Sequence, residues 1–282
     1  MMIEFMEDDR VFLNYGPIQM ILDISHKNSK ANDIAREVAE EIKQEFLALQ
    51  NDYEILKTTD IQDLKKLSDD KSFSIVAKKM ITAVRSTGLK EMTPLSAVAG
   101  SFSELAVELA MEKGAHKAIV NNGGDIALMS KFDEVVNVGL PLSDCDDNKI
   151  LIPVNANKGI FGICTSGLGG RSFTKGIADA VVVVSSSPPT ADVCATYIAN
   201  ETNVEDENIS RCKAKELDSG TDIPEELVTI EVGELDKKKV YRALLNGLNQ
   251  AENLVADKLI QGAVLSVKNE ITMFPENLAK LT

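Results

Sequence analysis

"SSSPPTADVCATYIAN", residues 185–200, decides how the rest of this chain is read. A Pro-Pro-Thr lead-in followed by a run of Ala, Val and Cys predicts a helix start, because proline is tolerated where the first N–H groups have no partner. Asp192 and Thr196 are spaced i, i+4 and therefore sit one above the other on that helix. Two readings fit. In one, Asp192 serves the free N–H groups of the helix start and Thr196 bonds back to a carbonyl. In the other, the two oxygens face a ligand among side chains small enough to let it approach.

Composition narrows the classes open to the chain. Its 282 residues suffice for one large domain or two small ones, and a single domain over residues 1–282 is the expectation. The chain is 44% hydrophobic but only 5% aromatic, so an aliphatic core is affordable. A net charge of −14 argues against a nucleic-acid binder or a protein of anionic membrane surfaces, which rely on clustered Lys and Arg. Cys145, Cys164, Cys194 and Cys212 show no C-x-x-C spacing, and there are only two histidines, which argues against a Cys/His zinc site. Free thiols, no secretory signal and no stretch long enough to span a bilayer lead to the expectation of a cytoplasmic protein.

Along the chain, residues 3–24 alternate around "NYGP" and predict a two-stranded hairpin. Residues 31–50 repeat apolar positions at helical spacing, and "FSIVAKKMITAVRSTG" reads as helical too. The polar run between them holds a short helix. From Met92 onward come a loop, an Ala-rich helix and the strands "KAIV", "IALM", "VVNVGLPL", "KILIPVNA" and "GIFGICTS". A Gly-rich loop then feeds "AVVVV". Residues 200–224 read as a polar loop or a short excursion, "LVTIEVGEL" as a strand, and "AVLSVKNEITMF" as one final strand. The amphipathic stripe at 237–260 suits either core packing or a homodimer. Strands in clusters with helices between them give an α+β class of antiparallel sheets rather than a regular βαβ winding.

Three glycine-containing loops stand out. In "PLSAVAGSFSELA", Gly100 and its small neighbours permit close backbone approach and leave N–H groups for an anion. "NNGGDIAL", 121–128, has the Asn-Gly chemistry of a tight hairpin turn. In "CTSGLGGRS", 164–172, Thr165 and Ser166 offer hydroxyls, Gly167, Gly169 and Gly170 offer unshielded N–H groups, and Arg171 offers a fork for phosphate. A lone Arg in such a loop has little packing reason to be there. No Walker lysine pattern or G-x-G-x-x-G is present.

Taken in order, these segments resemble the flavin-transferase (ApbE-like) family, whose members attach FMN from FAD to a protein threonine. "AVAGSFSELAVELAMEKGAHKAIVNNGGDIAL" is similar to that family's run from a small-residue loop through a helix to a Gly-Gly-Asp turn. "GICTSG" resembles its Thr-Ser-Gly strand end, and "PTADVCATYIA" its Thr-Ala-Asp-Ala-x-x-Thr metal motif. The likeness covers about residues 92–200 and implies an ApbE-like fold. It also implies Mg²⁺ held by Asp192, Thr196 and the backbone carbonyl of Ala97, with the metal neutralising the pyrophosphate of FAD. Gly100, Asn122, Gly123, Gly124 and Asp125 would lie against the nucleotide, with Thr165, Ser166, Gly167 and Arg171 facing the same cleft.

The chain departs from the family where members carry His-x-x-Asp-Pro: it reads "RSFTKGIADAVVVV", with no His and no Pro. Lys175 and Asp179 are the nearby candidates, and Asp179 with Arg171 are the residues assigned to catalysis. The lysine that follows the small-residue loop in the family is absent as well. His26 and His116 read as surface residues. The pattern is that of a divergent branch. It leaves open metal-dependent attack on a phosphoanhydride, by FMN transfer or FAD hydrolysis; a non-catalytic flavin or phospho-ligand binder; and a metal-dependent enzyme acting on an unrelated metabolite.

Overall fold

A computed structural model describes residues 2–27, 29–69, 72–141 and 149–281. Cys145 lies outside them. In chain order the strands and helices open with β1 (Met2–Phe5), β2 (Val11–Tyr15), β3 (Ile18–His26), β4 (Ser29–Lys30), α1 (Asn32–Asp52), α2 (Ile61–Asp69), α3 (Ile75–Thr87) and α4 (Val98–Glu112). There follow β5 (Lys117–Asn122), β6 (Asp125–Ser130), β7 (Val135–Pro141), β8 (Lys149–Asn155), β9 (Phe161–Ser166), β10 (Ala180–Ser185) and α5 (Pro188–Glu201). The chain closes with β11 (Ile209–Lys213), α6 (Ala214–Leu217), β12 (Leu227–Val232), α7 (Lys237–Ala256), β13 (Gly262–Val267), β14 (Glu270–Phe274) and β15 (Lys280–Leu281). The class is α+β, as expected, with antiparallel pairing in β1–β2, β2–β3, β3–β4, β3–β5, β5–β6, β6–β9, β8–β15, β10–β13, β11–β12 and β13–β14. Among the described residues no helix is long and apolar enough to cross a membrane.

The chain groups into two compact units. The first comprises Met1–Val136, Asn155–Cys164 and Ser185–Val193; the second comprises Asn137–Val154, Thr165–Val184 and Cys194–Thr282.

In the first unit, β1, β2, β3, β5, β6 and β9 pair in that order, all antiparallel. The hairpin at "NYGP" forms between β2 and β3, with β1 as an unforeseen third strand. Along β3, buried and exposed positions alternate, the signature of a strand with one face on a core. Helix α4 packs on β5 and β6 and is itself covered by α1 and α3. That position explains its sequence: Phe102, Leu105, Ala106, Val107 and Ala110 are all buried, so it is apolar on more than one side. Small residues at its start keep the backbone accessible to close neighbours.

In the second unit, β10 pairs with β13 and β13 with β14, while β11 pairs with β12. Every residue of β10 and β13 is buried, so both read as unbroken apolar runs. Helix α7 packs on β13 and β14. Three expectations are corrected here. The run "AVLSVKNEITMF" is two strands, because Lys268 and Asn269 both adopt positive φ (49° and 65°) and turn the chain without any glycine. Residues 200–224 hold β11 and α6 rather than only a loop. Helix α7 stops at Ala256, where Lys258 takes φ 61° and Leu259 N–H returns to the Leu254 carbonyl at 3.0 Å.

His26 and His116 lie at the surface of the first unit, where they meet. His26 Nδ1 is 3.1 Å from His116 Nδ1 and 2.9 Å from the Gly114 carbonyl oxygen. The Lys27 N–H also donates to His116 Nδ1, at 3.2 Å, so that nitrogen carries the lone pair. Desolvation, then the neighbouring His26, Lys131 and Lys27, push His116 below its ordinary value. The unfolded chain therefore takes the proton first. Stability contributed here is complete above about pH 6.5 and declines as the pH falls through the folded-state value. NMR titration is expected to place His116 below a free histidine. His26→Ala is expected to move it back toward the free value.

Candidate functional site

Helix α5 begins earlier than the Asp192 reading requires. Ser187 stands at its start, accepting the Thr190 N–H on its hydroxyl (3.4 Å) and the Ala191 N–H on its carbonyl (2.9 Å). Asp192 is therefore in the second turn and does not serve its own helix start. It serves another one. Helix α4 has no side-chain cap of its own at Ala97, and the Gly100 N–H donates instead to Asp192 Oδ2 at 2.9 Å. Asp192 thus supplies across space what an N-cap side chain supplies locally.

Glycine makes that approach feasible. A Cβ on Gly100 would lie 2.5 Å from the Pro188 carbonyl oxygen and 3.0 Å from Asp192 Cβ. A Cβ on Gly162, in β9, would overlap the Cα of Pro188. The first turn of α5 is therefore seated against two bare backbones, and Cys164 Sγ adds a 3.3 Å contact to the Pro188 carbonyl oxygen. Gly100 does not leave its amide for an anion: that N–H is already donated to Asp192.

A second carboxylate comes to the same place. Asp125 opens β6 across the Gly123–Gly124 turn, whose φ values of 66° and 110° make the tight hairpin that "NNGGD" predicts. The turn is held by Asn121, whose Oδ1 accepts the Gly124 N–H at 2.9 Å. Ser103 of α4 donates its hydroxyl to the Asp125 carbonyl oxygen at 2.8 Å, tying the hairpin to the helix. Asp125 and Asp192 are both buried. Burial, and then the charge of Asp125, push the Asp192 carboxyl well above the ordinary carboxylate range, against the amides of Gly100 and Ala99 that pull it down. Asn122 is paired with Asp125 in the hairpin register, and its Oδ1 is buried with no hydrogen-bond partner among the described residues. Ala97 is fully buried at the start of α4. Thr196 is half-buried one turn further along α5, and its hydroxyl makes no hydrogen bond among the described residues, so the bond back to a carbonyl does not form.

The Gly-rich loop of the second unit reads differently from the sequence expectation. Leu168, Gly169 and Gly170 donate their N–H groups to the carbonyls of Ala178, Asp179 and Gly167 at 2.9, 3.1 and 3.1 Å. The amides of Gly169 and Gly170 are thus spent on the loop itself, which corrects the picture of unshielded donors. Gly167 sits at φ 133°, where a Cβ would lie 2.8 Å from the Asp179 carbonyl oxygen. Ser166 is buried with its hydroxyl unpartnered among the described residues, Thr165 is half-buried, and Arg171 is exposed.

Asp179 has a definite structural task. Burial raises its carboxyl, and the N–H groups of Lys268 and Asn269, the Lys268 charge and the Ser266 hydroxyl pull it back. It therefore secures the glycine-free turn between β13 and β14. Asp179→Ala is expected to cost about 1–2 kcal/mol in denaturant titrations, while leaving the size of any ligand-induced stabilisation unchanged. Lys175 pairs with Glu226 at 3.3 Å.

Among the described residues no three His, Cys, Asp or Glu side chains gather as a metal cluster. The acidic centre is a pair, Asp125 and Asp192, with the amides of Gly100 and Ala99 turned to Asp192. Compared with known proteins, residues 3–273 match the model of a family described as "AbpE bacteria". The chain belongs to that family. The resemblance carried by the motifs of residues 92–200 is borne out over nearly the whole length. A UPF0280 protein of Methanobrevibacter smithii is 31% identical over 201 residues, 70% of this chain and 77% of that protein. UPF0280 proteins of Methanosarcina barkeri and Methanothrix thermoacetophila are 39% and 37% identical over 135 and 126 residues, 48% and 44% of this chain. The chain spans about half the length of these last two, 51% in each case. The apo crystal structure of Pseudomonas stutzeri flavinyl transferase ApbE aligns over 96% of this chain and 94% of its own, with 11% identity and a TM-score of 0.49. A likeness that loose transfers no residue and no activity.

Proposed function

We propose that this AbpE-family chain binds a flavin nucleotide through Mg²⁺ at the Asp125–Asp192 centre and acts, when it acts, on the phosphoanhydride of FAD. One observation carries the reading: two buried carboxylates from different elements share one spot beside the amino end of α4. Such a pair is costly unless a proton or a cation stands with it. The donor set is all oxygen, which fits Mg²⁺ better than zinc or copper. Asp192 and Asp125 would hold the ion, with the Ala97 carbonyl as a further oxygen and the unpartnered Asn122 Oδ1 facing the nucleotide side. When bound, Mg²⁺ supplies charge neutralisation for a pyrophosphate. The chain's own part is to keep Asp192 fixed by the Gly100 amide and to keep Asp125 on a rigid hairpin.

A second reading, a flavin binder without turnover, is favoured by the fate of the candidate acid–base groups. Asp179 is committed to a turn, and the two histidines are committed to each other. Incubation with FAD and Mg²⁺ separates the two. Release of AMP, with or without FMN attached to an added acceptor protein, establishes chemistry. Stable retention of intact FAD establishes binding alone. Failure to bind any flavin removes both.

A further inference from the structure

The polar depression between α5 and α7 in the second unit has no part in the function proposed above. We propose that it is a binding site for a neutral, hydroxyl-rich small molecule such as a sugar or polyol. The cavity, about 350 Å³, is lined by Asn200, Glu201, Asn203, Asn246, Asn249 and Gln250. No apolar or basic residue is among them. Cavities of a few hundred Å³ that take drug-sized ligands are lined mainly by apolar and aromatic groups. This one is lined by carboxamides, so its ligand must be recognised by hydrogen bonds.

The informative feature is that three of these amides are each pinned at one end only. Asn200 Oδ1 accepts the Lys175 N–H at 2.9 Å, which leaves its NH₂ group. Asn246 Nδ2 donates to the Asn203 carbonyl oxygen at 2.9 Å, which leaves its oxygen. Gln250 Oε1 accepts from the Tyr197 hydroxyl at 3.3 Å, which leaves its NH₂ group. Among the described residues these remaining ends have no protein partner. Beneath them Asn203 is fixed by Arg211 Nη2 at 2.7 Å and by the Lys175 carbonyl oxygen at 3.1 Å. A Cβ on Gly247 would fall on the Thr202 hydroxyl, so α7 lies directly against the end of α5 and the floor cannot shift freely.

Two donors and one acceptor are thus oriented before any ligand arrives, which lowers the ordering cost of binding. A hydroxyl both donates and accepts and so complements either kind of group. Glu201, the only charged residue of the lining, disfavours phosphate and other anions. The same chemistry makes this a poor nucleotide site.

Ligand-observed NMR and calorimetry with glucose, ribose and myo-inositol, and with inorganic phosphate as the anionic control, test the assignment. Saturable binding of at least one of the three polyols, and none of phosphate, is expected. Gln250→Glu keeps the acceptor for Tyr197 but replaces the free NH₂ donor with a carboxylate oxygen, and Asn200→Asp does the same beside Lys175. Each is expected to weaken the polyol Kd about tenfold with an unchanged melting temperature. Absence of saturable binding by all three polyols, binding indifferent to both substitutions, or preferential binding of phosphate would overturn the proposal.

Discussion

Gly100→Ala is expected to lower stability by about 3 kcal/mol, because the added methyl group meets backbone rather than a yielding side chain. Its Cβ would lie 2.5 Å from the Pro188 carbonyl oxygen and 2.8 Å from the carbonyl carbon, where contacts of that length are not tolerated. Relief requires the first turn of α5 to move off α4. That motion also lengthens the 2.9 Å bond from the Gly100 N–H to Asp192. For a chain of this size the loss corresponds to roughly 6–12 °C in Tm. Gly169→Ala is the matched control. Its Cβ would come no closer than 3.3 Å to the Asp179 carbonyl oxygen, at a position without positive φ. Its Tm is expected to fall only slightly. Equal losses for both variants would show that α5 is not seated on Gly100 as described.

Asp192→Asn produces the second large effect, and in the opposite direction for stability and for binding. The asparagine oxygen still accepts the Gly100 N–H, so the cap on α4 survives. The charge does not. Because burial and Asp125 hold the folded-state carboxyl above its unfolded value, the stability tied to Asp192 is fully present below the unfolded carboxylate range and is lost as the pH rises from there through the folded-state value. Without metal, the variant is therefore expected to melt at or above the wild-type temperature at neutral pH, with the gain shrinking as the pH falls toward the unfolded carboxylate range. With Mg²⁺ and FAD together the order reverses, since the cation has lost its buried partner. A merely structural Asp192 would give a variant that melts at or above the wild type under both conditions, with no reversal.

Sequence periodicity revealed the elements that obey a simple rule. Helices α1, α3 and α7 carry apolar residues at helical spacing, and β10 is an unbroken apolar run because both its faces are covered. The Gly-Gly hairpin before Asp125 was equally plain, since two consecutive residues at positive φ call for glycine. The turn at Lys268–Asn269 was hidden because no glycine marks it. Its stability comes partly from Asp179, a residue far away in the sequence. Glycine function was the least legible part. "AVAGSF" and "GLGGRS" look alike as loops that free amides for a ligand, yet Gly100 allows two helices to touch and Gly170 closes a turn on Gly167. The family motifs put Asp125 and Asp192 in one cleft without pairing them, because neither local spacing nor charge pattern joins a hairpin to a helix that follows several strands later. The half-pinned amides of Asn200, Asn246 and Gln250 depend on which end of each side chain the fold has already used, and that is written in no pattern.

The cation-dependent flavin site is tested most directly by melting wild-type protein and Asp192→Asn with FAD, with Mg²⁺ and with both. A ligand that binds only the native state raises Tm by mass action. FAD and Mg²⁺ together are expected to raise the wild-type Tm beyond either alone, and Asp192→Asn is expected to show no such cooperative rise. A rise of the same size in the variant, or one that Mg²⁺ does not alter in the wild type, would contradict the cation-dependent site.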